Sequence, residues 1–125
     1  MKEYITELHA KYNIWIKELE FYRDELKTFN NRLGDIVSQN TKTEITSQVE
    51  HFQNQFIREN EVIDILQHDI REEEHKLAEN AMENNVATDH RKVEEDTELN
   101  DRMDTFKKIY GDLKNEFNKF LTETY

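Results

Sequence analysis

The sequence predicts an all-α fold, an up-down-up antiparallel three-helix bundle with long coiled-coil-like helices. Three observations lead there. Apolar residues recur at alternating steps of three and four along most of the chain, the spacing of a heptad seam. Two polar strings interrupt that spacing and divide the chain into three segments of similar length. Helix breakers are nearly absent, with no proline and only two glycines, Gly34 and Gly111, in 125 residues. The abundance of Glu, Lys, Leu and Asn fits long helices better than sheet.

The first seam runs Ile5, Leu8, Tyr12, Trp15, Leu19, Tyr22, Leu26, Phe29, Leu33, Ile36 without a miss. It predicts a helix over about residues 2–38, roughly 55 Å long at 1.5 Å per residue. The string "SQNTKTEITSQ" ends it with small polar residues. A turn is expected near Gln39 to Lys42, and Thr41 followed by Glu44 has the form of a capping box for the next helix.

The second helix is predicted over about residues 43–82. Its seam is Ile45, Val49, Phe52, Phe56, Glu59, Ile63, Leu66, Ile70, Glu73, Leu77, with two carboxylates in core slots. "ENAMENNVATDHRK" is the second interruption, and Thr88 or Asp89 is the expected cap of a third helix over about residues 88–124. That helix carries Leu99, Met103, Phe106, Tyr110, Leu113, Phe117 and Phe120. Val86 and Val93 fall out of register with this seam, so its start is expected to be less well packed or shifted in phase.

Short connections make successive helices antiparallel neighbours. Counting outward from the turns sets Phe29 beside Phe52, Trp15 beside Leu66, Leu66 beside Met103, and Phe52 beside Phe117. No linker or repeat divides the chain, so residues 1–125 are expected to form one domain.

Composition narrows the function classes. A formal net charge of −11, with no Lys/Arg cluster, argues against nucleic acid as partner and against an anionic membrane surface. Without cysteine there is no thiolate nucleophile and no Cys-bound zinc or iron-sulfur cluster. The N-terminus alternates charged and apolar residues instead of forming a signal-peptide core, and no stretch reaches the roughly 18 apolar residues of a membrane span. A cytoplasmic protein is the expectation. Neither a nucleophile elbow nor a phosphate-cradling glycine loop is present.

The stretch that most resembles a reactive site is "HDIREEEHKLAEN", in which His68, Glu72, His75 and Glu79 share one helix face. Glu72 and His75 spell Glu-x-x-His once, where ferritin-like di-iron bundles repeat it on two helices, and no family is assigned. His75 and Glu79 stand across the second turn from His90 and Glu94, and two His with two Glu form a donor set for zinc, manganese or iron. At about 100° per residue, however, these residues lie opposite the apolar seam. A solvated face is the expectation, with a divalent-metal site as the rival.

Glu59 is expected in a buried polar layer with Tyr22 and Tyr110, whose phenols can hydrogen-bond a carboxylate that is otherwise costly to bury. Such a layer fixes register. Glu73 is expected near Leu8 and Asp96, with Arg71, Lys76, Arg91 or Lys92 folding over the acids. Ile14 and Phe21 form a second small apolar stripe outside the first seam, and Ile57 and Ile65 are off-seam on the second helix.

Apolar residues on the outer faces of already paired helices point to another chain. The expected function is therefore non-catalytic, acting on a protein partner or on itself, with a homodimer through Ile14 and Phe21 as the concrete form. The competing reading is a metal-binding bundle using His75, Glu79, His90 and Glu94.

Overall fold

The computed structural model describes residues 2–40, 42–80 and 86–124, and the side chains of 5–40, 42–79 and 96–124. Three helices follow in order: α1 (Lys2–Gln39), α2 (Thr43–Asn80) and α3 (Val86–Thr124). No strand occurs among the described residues. The molecule is an all-α three-helix bundle, as the seams predict.

Local chemistry closes the helix ends. The Asn40 side-chain amide donates to the Ile36 carbonyl at 3.1 Å and the Ser38 hydroxyl to the Asp35 carbonyl at 2.7 Å. The first satisfies one of the last four carbonyls of α1, which have no partner within the helix, and the second adds a bond one residue earlier. At the start of α2 the amides of Ile45 and Thr46 donate to the Lys42 carbonyl at 3.1 and 3.0 Å. Thr41, the expected cap, lies outside the described residues, as does the expected end of the second helix at residue 82. Because α3 begins at Val86, Thr88 and Asp89 lie inside the helix instead of capping it.

Every described residue of the three seams is buried or half-buried, and one continuous core runs from Leu8 on α1 to Phe120 on α3. Each fully buried aliphatic or aromatic side chain contributes roughly 1.5–3 kcal/mol. An aromatic cluster fills the end of the bundle at the α1–α2 turn. Phe29 meets Phe117 at 4.9 Å between ring centroids, and Phe52 meets Phe117 and Phe120 at 5.2 Å.

Direction follows from which residues pair. Arg23 with Asp64 and His9 with Glu74 run in opposite order along α1 and α2, and Asp69 with Arg102 and Phe52 with Phe117 do the same for α2 and α3. Between α1 and α3, Lys11–Asp96, Glu18–Lys107 and Glu25–Lys114 run in the same order, so these two helices are parallel. The register of the first hairpin differs from the counted one. Phe29 contacts Phe56 at 5.7 Å, one turn along α2 from Phe52. Helical side chains lean toward their own N-terminus, so facing residues of an antiparallel pair meet a few positions later than backbone counting predicts.

Candidate functional site

Of the expected metal ligands, His75 and Glu79 sit on a solvated face. His75 and Glu79 are exposed and pair with each other, 3.1 Å apart, one turn along α2, and His68 and Glu72 form the same pair at 3.5 Å. His90 and Glu94 lie outside the residues whose side chains are described. Among the described residues no group of three or more His, Asp or Glu converges as a ligand set.

These α2 residues form one wall of an open groove of about 660 Å³ against α1. At its inner end the Arg23 guanidinium donates to Gln67 Oε1 at 2.6 Å, beside Asp64 Oδ1 at 2.6 Å. The fixed charges there are already engaged by one another, which makes the groove a fastening between α1 and α2.

The buried polar residues are close together but bond differently from the expected pattern. Tyr22 and Tyr110 stack obliquely, with ring centroids 4.6 Å apart. The Tyr110 hydroxyl donates to Glu25 Oε1 at 2.6 Å, not to Glu59, and Lys114 Nζ approaches the other Glu25 oxygen at 3.0 Å. Burial and the Glu25 carboxylate hold the Tyr110 phenol well above its ordinary pKa, so it remains a donor. Glu25 follows Lys11 and Glu18 at heptad spacing on the α3 side of the first seam. That repeat of charged residues beside the seam was the signal for the α1–α3 bridges, and periodicity of the apolar residues alone does not register it.

Glu59 is buried, with 4 % of its surface exposed. Among the described residues no hydrogen-bond donor reaches its carboxylate. Burial raises its pKa above the ordinary value, and the charge of neighbouring Arg58 only partly opposes this. The carboxylate lies in the wall of a second groove, about 700 Å³, between α2 and α3. Ile65 and Ile109 flank this groove at 56 % and 50 % exposure, with Val62, Leu66 and Phe106 deeper in it. Ile109 sits next to Tyr110 in sequence and so a quarter-turn or more off the seam, where it borders α2.

At the polar end Lys76 reaches Glu73 at 3.3 Å and Lys11 reaches Asp96 at 3.4 Å, so each acid has its own cation. Arg102 binds Asp69 at 2.7 Å and, by that hydrogen bond, holds its carboxyl below the usual range. Ile14 and Phe21 project from α1 at 56 % and 59 % exposure. Among the described residues no helix is long and apolar enough to cross a membrane. Compared with family models, curated proteins and solved structures, the chain matches none.

Proposed function

We propose that this protein is a non-catalytic helical bundle that acts by protein–protein contact, and that one of its contacts is with a second copy of itself through the outer face of α1. A single observation carries the reading. Ile14 and Phe21, seven residues apart and therefore on one stripe, are more than half exposed on a helix whose opposite face is already filled by the core. Pairing two such stripes removes apolar surface from water at about 25 cal/mol per Å². The flanking Lys17, Glu20 and Asp24 supply both signs of charge for a rim.

Sedimentation equilibrium tests this reading. The wild-type chain is expected at twice its mass of 15.2 kDa, and Ile14→Glu with Phe21→Glu at the monomer mass with unchanged helicity. A wild-type mass of one chain throughout the micromolar range would overturn self-association through this face.

A further inference from the structure

We infer that the groove between α2 and α3 is a docking site for an amphipathic helix of a basic partner protein, whose apolar face covers Ile65 and Ile109 and whose lysine or arginine meets the Glu59 carboxylate. The site lies apart from Ile14 and Phe21, so it stands or falls independently of self-association.

Glu59 is the first argument. Its residue surface is 4 % exposed, it lines the groove, and among the described residues no donor hydrogen-bonds to it. The residue is packed away but its carboxylate oxygens stay open to the groove. A cation delivered there meets a carboxylate that has lost most of its surrounding water and has no other donor among the described residues. Arg58, on the α2 rim, is solvent-exposed and acts on Glu59 through space only.

Shape is the second argument. The lining residues lie between positions 55 and 66 on α2 and between 98 and 109 on α3. At 1.5 Å per residue the groove is roughly 16 Å long, or three turns of a docked helix. Its flanks are isoleucines exposed at 56 % and 50 %, a rim that a small molecule held inside would leave wet and a helix lying along the groove would cover.

Charge selects the partner. Glu98 and Asp101 mark the α3 rim, and Arg102 on that side is engaged by Asp69 at 2.7 Å. The whole chain carries −11, a field that draws in a cationic helix and disfavours an acidic one. A second copy is disfavoured as occupant by the chain's own charge of −11, since a two-fold interface sets the same patch on both subunits, and its lining holds three acids (Glu59, Glu98, Asp101) against two arginines (Arg58, Arg102).

The test uses a fluorescein-labelled synthetic peptide of about 14 Leu and Lys residues patterned as an amphipathic helix, titrated against the full chain by fluorescence anisotropy in about 0.15 M salt. The proposal expects saturable one-to-one binding. It further expects about tenfold weaker affinity for Glu59→Gln and for Ile65→Ser with Ile109→Ser, and unchanged affinity for Ile14→Ser with Phe21→Ser. All these positions except Glu59 are exposed, and Glu59→Gln preserves shape, so circular dichroism is expected to show all variants folded. Equal affinity of wild type and groove variants would overturn the proposal, since the peptide would then be reading net charge alone. Competition by butylammonium at the peptide's own affinity would also overturn it, in favour of a small-amine site.

Discussion

Glu59 sits where an apolar side chain would pack better, and its cost to the fold depends on pH. Burial raises its folded pKa above the ordinary 4.5, so between those values the folded state holds a proton that the unfolded chain has lost. Stability associated with this group is therefore complete below about pH 4.5 and is lost as pH rises through the folded pKa. Glu59→Gln is expected to stabilise the chain at about pH 7, with the difference shrinking toward zero at about pH 4, as read by urea unfolding at both. Glu59→Leu is expected to raise the melting temperature further while abolishing peptide binding in the α2/α3 groove, a trade of function for stability. The Tyr110 hydroxyl makes the opposite case, because its bond to Glu25 spans two helices at 2.6 Å. Tyr110→Phe is expected to cost about 1–2 kcal/mol, and a double-mutant cycle with Glu25→Gln to show most of that as coupling.

At the level of the helices, the two glycines interrupt nothing. Gly34 and Gly111 both lie within helices, have no positive φ, and leave open space where a Cβ would stand. Gly34→Ala and Gly111→Ala are each expected to add about 0.5–1 kcal/mol by reducing the freedom of the unfolded chain, measurable as a shift in denaturation midpoint. The helices themselves were legible because burial follows from spacing. Leu8, Leu19, Leu26, Leu33, Phe56, Ile63 and Phe117 all fall on the seams and are all buried. What spacing does not encode is the axial offset between neighbours, which is why Phe29 meets Phe56 and why the acceptor for Tyr110 is Glu25 on α1. The offset depends on how side chains lean and on charges beside the seam, here Lys11, Glu18 and Glu25 reaching Asp96, Lys107 and Lys114.

For the molecule as a whole, charge and exposed apolar surface divide the work between two faces. Both surfaces carry charges of both signs; the α2/α3 groove adds a buried acid to its isoleucines and suits a cationic helix, and the α1 stripe of Ile14 and Phe21 suits its own copy. The apolar outer positions were visible in the sequence as residues that break the seam's period. The groove was not, since it needs Ile65 and Ile109 from different helices to face the same opening.

Self-association through α1 is tested most directly by a distance between copies. The chain has no cysteine, so Lys17→Cys gives a unique exposed site for a nitroxide label midway between Ile14 and Phe21. Because position 17 is near the centre of the stripe, two labels lie close whether the paired helices run parallel or antiparallel. Pulsed electron–electron resonance is predicted to show an inter-copy distance of about 20–30 Å that disappears with Ile14→Glu and Phe21→Glu. A trace with no defined distance in the wild type, or one that survives both substitutions, would contradict the account.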